Sequence, residues 1–212
     1  PVDDLTPAGA LTILAGKPFA MQRQDDAITM VARGFAAPPQ TCCSIQRKME
    51  SLGEDNKKVL LLGVTFALLD LAESGKRIST PSNLIVMETG GMKGRRKEMI
   101  REEVHDILKP YFGVESIYSE YGMTELMSQA YSKGQGKYTL PDSMRVMLRD
   151  VNDPLSITQR SQGGINVIDL ANFHSCAFIE TQDLGRIDEN GMLEVLGRFD
   201  NSEIRGCNLL VQ

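Results

Sequence analysis

Between residues 117 and 132 the sequence reads IYSEYGMTELMSQAYS, with a hydroxyl and a carboxylate side by side at Thr124 and Glu125. The pair follows the short run IYSEY and a glycine, Gly122. In an open α/β sheet, ligands gather at the carboxyl ends of strands. A Tyr-Gly-Met-Thr-Glu loop in that place suits a phosphate. Gly122 permits a tight backbone turn, the Thr124 hydroxyl can hydrogen-bond a phosphate oxygen, and the Glu125 carboxylate can hold a Mg²⁺ that neutralises it. The same five residues also make an ordinary strand-to-helix junction, with Thr124 as cap and Glu125 in the first turn.

Two further stretches set charged side chains beside glycines. TQDLGR, residues 181–186, places Asp183 two residues ahead of Gly185. A carboxylate there can accept both hydroxyls of a ribose, and taken alone the stretch is equally a plain turn. GRFDNSEIRG, residues 197–206, sets Arg198 directly after a strand-like run and Asp200 two positions later, which fits a hinge or a salt bridge. The order and spacing of the three stretches resemble the adenylate-forming superfamily of acyl- and aryl-CoA ligases, luciferase-like enzymes and peptide-synthetase adenylation domains. In that family a Y-G-x-T-E core contacts the adenylate phosphate and Mg²⁺, a T-G-D strand end binds ribose, and G-R-x-x-D marks a hinge. Tyr121 to Glu125 keeps the first intact, Thr181-Gln182-Asp183 alters the second, and Gly197-Arg198-Phe199-Asp200 shortens the third by one residue. The resemblance implies ATP and Mg²⁺ as cofactors, with Tyr121, Gly122, Thr124, Asp183 and Arg198 around the nucleotide and Glu125 on the metal. It also puts Gly90 and Gly91, in ETGGMKG, against the adenine ring, where glycine allows close approach. A loop leading into a helix would favour small residues there as well.

Longer segments narrow the likeness. LLGVTFALLDL, ETGGMKGRRKEMIREEV, YGMTELMSQAY, GGINVIDLAN, SCAFIETQDLG and GRFDNSEIRGCNLLV are similar, in that order, to the acyl-protein synthetase of the bacterial bioluminescence fatty-acid reductase complex. From Lys57 onward the chain looks like the C-terminal portion of that family. Its members convert a fatty acid and ATP to acyl-AMP and pyrophosphate, and the acyl group then moves to a cysteine of the synthetase itself. The resemblance maps that cysteine to Cys207 and makes Cys207, Thr124 and Glu125 the catalytic residues. A thiol of ordinary pKa, about 8.5, is only a few per cent thiolate at neutral pH, yet the thiolate attacks an activated acyl group readily. Arg205, two positions away, would share one side of an extended strand and favour the thiolate. Without the family, Cys207 reads as a buried structural thiol. The implied partners are a small-molecule carboxylic acid, fatty in this branch, and an acyl-accepting reductase or acyltransferase. A ligase handing the acyl group to coenzyme A or a carrier protein is the alternative. The superfamily's Ser/Thr/Gly-rich phosphate loop has no match in residues 1–52, which implies a piece of a longer enzyme or a degenerate, non-catalytic relative. The missing initiator Met favours the first.

Elements able to hold these residues in place follow from hydrophobic patterning. KKVLLLG reads as a buried strand and VTFALLDLAESGK as a helix closed by Gly75. SNLIVMET is a second strand, MKGRRKEMIREEVHDILKPYF a charged amphipathic helix ending near Pro110, and VESIYSEY a third strand. That order predicts an α/β fold, a mostly parallel sheet with flanking helices. From about Pro141 short strands take over, MRVMLRD, GGINVIDL, CAFIETQDLGRID and MLEVLGR, the last two joined as a hairpin through Glu189, Asn190 and Gly191. They predict a smaller antiparallel β-rich subdomain, a distorted barrel. The expected divisions are an incomplete N-terminal segment at 1–55, an α/β nucleotide-binding subdomain at 56–142, the β-rich subdomain at 143–197 and a hinge-like tail carrying Cys207 at 198–212. The N-terminal segment reads as irregular apart from one helix, CCSIQRKMESLG. His105 is expected mid-helix as a structural residue, and His174 and Cys176 on one strand face. Gly63 to Phe66 fall where the superfamily lines its acyl pocket, although an apolar strand-helix junction would look the same. Lys93, Arg95, Arg96 and Lys97 read as a solvated helix face, or as a weak pyrophosphate-steering patch.

Composition narrows the partners. Lys and Arg number 23 against 28 Asp and Glu, a net charge of −5 with both signs scattered, which argues against nucleic acid. The run VLLLGVTFALLDLA is broken by Gly63 and Asp70 and is too short to cross a bilayer. PVDDLTPAGALTILAG lacks the basic start of a secretory leader, so the four cysteines read as reduced thiols of a cytoplasmic protein. Two histidines and no C-x-x-C leave nothing to assemble a zinc site.

Overall fold

The computed structural model describes residues 11–14, 23–24, 27–30, 59–75, 79–92, 96–97, 99–151, 153, 155–157 and 162–199. Among these, strands β1 (Leu11–Leu14), β2 (Arg23–Gln24), β3 (Ala27–Met30), β4 (Val59–Val64), β5 (Leu84–Thr89), β6 (Ile117–Tyr121) and β7 (Ala130–Ser132) form one sheet in the order 2-3-1-4-5-6-7. The inner strands run parallel, and β2 and β7 lie antiparallel at the two edges. The β-α-β-α-β order expected from Lys57 onward is present, with helices α1 (Thr65–Glu73) and α2 (Arg101–Phe112).

The N-terminal segment departs from its irregular reading. LTIL and AITM are too short to carry a period of their own, and they become strands by pairing with one another and, for β1, with β4 in the register Leu11 to Val59. The helix expected at CCSIQRKMESLG lies outside the described residues.

Helix α1 buries Phe66, Leu68, Leu69 and Leu71. Its approach to β4 is so close that a Cβ on Gly63 would sit 2.8 Å from Leu68 Cδ2, which is why glycine stands there. Helix α2 is shorter at its start than the charged pattern predicts, opening at Arg101 where Glu103 accepts the Ile100 amide at 3.3 Å. It also runs through Pro110. A proline in the last turn removes one backbone bond, and the two further residues bury Phe112 to 1% exposure before Gly113 closes the helix at φ 66°. Both helices pack with β4, β5 and β6 into one core built around Leu61, Leu68, Val86, Leu108 and Ile117.

The second sheet holds β8 (Lys137–Tyr138), β9 (Met144–Arg149), β10 (Gln162–Asp169), β11 (Phe178–Ile187) and β12 (Leu193–Arg198), antiparallel throughout, in the order 8-12-11-10-9. The α/β fold with a mostly parallel sheet and a smaller antiparallel one is thus the architecture observed. The hairpin between β11 and β12 turns at Gly191, φ 76°, with the Asp188 carboxylate accepting the Asn190 and Met192 amides. A second core, around Val146, Ile165, Val167 and Leu193, takes in Tyr121 and Ala130 from the first sheet. His174 and Cys176 share no strand face. Both are exposed in the link before β11, where Asn172 accepts the Ser175 amide and donates to the Cys176 carbonyl. Among the described residues no helix is long and apolar enough to cross a membrane.

Candidate functional site

Strand β6 delivers Tyr121 to the carboxyl edge of the parallel sheet, and the chain then turns at Met123, whose carbonyl accepts the Leu126 amide at 3.1 Å. No helix follows, so Thr124 is not a helix cap; the loop runs on into β7. Thr124 and Glu125 are exposed at this turn. Beside it, the loop after β5 holds Gly90 and Gly91 at φ 79° and 67°, left-handed values that favour glycine. The Gly91 amide donates to Thr65 Oγ1 at 3.1 Å, and that hydroxyl donates to Glu88 Oε2 at 2.5 Å. The strand-helix junction of α1 therefore fixes the Gly-Gly loop.

Opposite, β11 and β12 pair Asp183 with Arg198. Tyr121 donates its hydroxyl to Asp183 Oδ2 at 2.9 Å across the gap between the sheets, and Arg198 Nε lies 3.5 Å from Asp183 Oδ1. Burial pushes the Asp183 carboxyl above the ordinary aspartate value, opposed by the Tyr121 hydrogen bond and the Arg198 charge. Burial, with Asp183 beside it, also drives the Tyr121 phenol upward, so Tyr121 stays a donor at any physiological pH. Gln182, standing where the resemblance expects glycine, is exposed and reaches Arg198 at 3.5 Å, leaving the strand path intact. Behind it Thr181 is buried, donating to the Ile165 carbonyl and accepting the Asp183 amide.

Between these walls lies a cavity of about 580 Å³. Gly90, Gly91, Tyr121, Gly122, Thr124, Glu125, Asp183 and Arg198 all line it. Cys207 and Asp200 lie outside the described residues. Gly63 to Phe66 do not line the cavity, although Thr65 touches it through Gly91. Arg96 is no solvated cation, since it bonds Asp70 and Glu73 of α1. Lys93 and Arg95 fall outside the described residues.

Sequence reading passed over several side chains that shape the site. Arg101, at the first turn of α2, lines the cavity, hydrogen-bonds the Tyr138 hydroxyl at 3.1 Å and stacks 5.4 Å from that ring. Glu88 and Glu120 close the floor, with Thr89 donating to Glu120 at 3.2 Å. Tyr131, hydrogen-bonded to Glu120, has its phenol pushed up to about 12 by burial and then by that carboxylate. Charged residues ending otherwise apolar strands were the signal available. Five carboxyl side chains, Glu88, Glu120, Glu125, Glu180 and Asp183, face two guanidiniums among the described lining residues. A lining with that excess of carboxylates attracts cations.

No protein-family model matches the sequence, and no curated protein matches it. Solved structures do resemble the fold. An ATP-bound RpMatB-BxBclM chimera aligns with 93% of this chain and 42% of its own at 18% identity and a TM-score of 0.60. O-succinylbenzoate coenzyme A synthetase from Bacillus subtilis, in complex with ATP and magnesium ion, aligns with 81% of this chain at 19% identity and a TM-score of 0.53, over 36% of its own length. A luciferase-like enzyme from the mealworm Zophobas morio aligns with 72% of this chain and 41% of its own at 14% identity and a TM-score of 0.51. The chain spans about two-fifths of the length of these proteins, and the likeness is one of fold.

Proposed function

We propose that the chain carries the nucleotide-binding portion of an adenylate-forming ligase that activates a carboxylic acid with ATP. One observation carries the reading. The Tyr121–Glu125 loop, the Gly90-Gly91 loop and the Asp183–Arg198 pair are remote in sequence and line a single cavity. The neighbours crystallised with ATP support a nucleotide there.

In this reading Asp183 accepts the ribose hydroxyls and Gly90 and Gly91 flank the adenine. Thr124 donates to the α-phosphate. Glu125 would hold Mg²⁺, which withdraws charge from the phosphates when bound. Its hard oxygens suit that ion, which keeps waters and substrate phosphates among its ligands. A carboxylate oxygen of the acid attacks the α-phosphorus, the bond to the β-phosphate breaks, and pyrophosphate leaves with the electron pair. The finer reading makes Cys207 the acceptor. Its thiolate attacks the acyl carbon, AMP departs, and the thioester, a long-chain fatty one, passes to a reductase or acyltransferase. A cytoplasmic location, where ATP is plentiful and thiols are reduced, belongs with it. Transfer to coenzyme A is the second reading, favoured by the coenzyme A synthetase among the neighbours.

Calorimetric titration tests the first step. Wild-type chain is expected to bind AMP, and Asp183→Ala to bind it about 10- to 100-fold more weakly, the loss of one or two charge-assisted hydrogen bonds. No heat with either AMP or Mg²⁺·ATP would leave a non-catalytic relative as the better description. Cys207→Ser then separates the acceptors: acyl-AMP formation persists in both, and a labelled thioester vanishes only where Cys207 receives the acyl group.

A further inference from the structure

The turn that carries Thr124 and Glu125 is exposed and belongs to no helix, yet the proposed metal role demands a fixed carboxylate. Its rigidity comes from the other sheet. Asp169, the last residue of β10, is 0% exposed and turns its carboxylate back onto this loop. Oδ2 accepts the Met127 amide at 2.7 Å and the Ser128 amide at 2.8 Å. Oδ1 accepts the Ser128 hydroxyl at 2.7 Å and the Ala171 amide at 3.1 Å. Since Ser128 Oγ donates to Asp169, the Ser143 hydroxyl 2.7 Å away donates to Ser128. Three residues on, Asn172 donates from Nδ2 to the carbonyl of Glu125 itself at 2.8 Å and to the Cys176 carbonyl at 3.0 Å. The backbone at 125, 127 and 128 is thus pinned from the β10–β11 link, while the side chains at 124 and 125 stay free to face the cavity.

We infer that Asp169 and Asn172 are positioning residues for Glu125. They hold the carboxylate where a nucleotide-borne divalent cation would meet it and touch neither nucleotide nor metal themselves. The inference rests on the metal role proposed for Glu125. An anchor serving only the stability of the fold would loosen every contact in the cavity alike. One that aims Glu125 affects the metal and spares the ribose side, because Asp183 and Arg198 hang from β11 and β12 and share no hydrogen bond with Asp169 or Asn172.

The experiment compares two probes, AMP without metal and Mg²⁺·ATP, on wild-type chain, Asp169→Asn and Asn172→Ala, with circular dichroism verifying that each folds. Loss of a residue that orients a metal ligand typically weakens metal affinity or activity by about 10- to 100-fold. The expected result is a Mg²⁺ midpoint for ATP binding raised by that factor in Asp169→Asn and by less in Asn172→Ala, with AMP affinity unchanged. Asn172→Ala removes only two hydrogen bonds and serves as the readout should Asp169→Asn fail to fold. Equal losses for AMP and Mg²⁺·ATP, or a wild-type Mg²⁺ midpoint in both variants, would overturn the inference and leave the nucleotide site standing. A wild-type chain that binds neither probe overturns the functional reading and this inference together.

Discussion

The Asp183 carboxyl lies beneath Arg198 and the Tyr121 hydroxyl, with its side chain 15% exposed. Its folded-state pKa is raised, so over the window from the ordinary 3.8 up to that higher value the native state binds more protons than the unfolded one. Stability on this account is full below 3.8 and declines as pH rises through the window. Asp169 runs the other way. Burial alone would raise it, but the Ser128 hydroxyl and the Ser128, Met127 and Ala171 amides hold it below 3.8, so its contribution is present above 3.8 and is lost as pH falls through the folded value. Thermal melts should therefore separate the two neutral substitutions. Asp183→Asn is expected to match or exceed wild type in Tm at pH 7, with any gain shrinking on acidification. Asp169→Asn is expected to lose about 1–3 kcal/mol at pH 7, the cost of leaving buried donors poorly paired, with the loss narrowing toward acid. Melts that move in the same direction for both at pH 7 would refute the assigned shifts.

Strand β10 shows how an element aims the site without lining it. Its Gly164 lies under Arg149, whose guanidinium is 2.6 Å from where a Cβ would stand. Arg149 is 5% exposed and donates to the Thr181 carbonyl at 2.7 Å, the Ile165 carbonyl at 3.1 Å and Asn166 Oδ1 at 2.8 Å, with the Phe199 ring 5.0 Å from its guanidinium carbon. So tethered, it has no room to swing aside. Gly164→Ala should destabilise the chain by about 1–3 kcal/mol and weaken AMP binding as Thr181 to Asp183 shift. A denaturation midpoint equal to wild type would count against that. The central elements were legible because their patterns are clear: VLLLGV and LIVMET each open on four consecutive apolar residues, and Asn190-Gly191 marks its own turn. The short strands β1, β3, β7 and β8 carry no period of their own and exist through their partners. The loop and strand-end residues of the site were legible as motifs. Arg149, Asp169 and Asn172 were not, because they act through backbone groups 32 to 47 residues away that no local spacing records.

At the scale of the molecule, two hydrophobic cores meet along the cavity. Tyr121 leaves the first sheet to pack in the second core and bond Asp183, Arg101 reaches Tyr138, and Asp169 and Asn172 hold the loop after β6. A ligand seated among Gly90, Gly91, Thr124, Asp183 and Arg198 would touch both sheets at once, and its binding free energy would resist the opening of either. Occupancy at a hundred times Kd adds about 2.7 kcal/mol to the folded state. For a chain of this size that corresponds to a rise in Tm of roughly 5–10 °C. Hydrogen exchange locates where the gain is spent. Amides of β5 and β6 on one side and of β11 and β12 on the other should slow together when AMP is added, since neither wall can open without releasing the ligand. Protection confined to one sheet would mean that the nucleotide does not bridge the gap, and the convergence of the three motifs on one cavity would then have another cause.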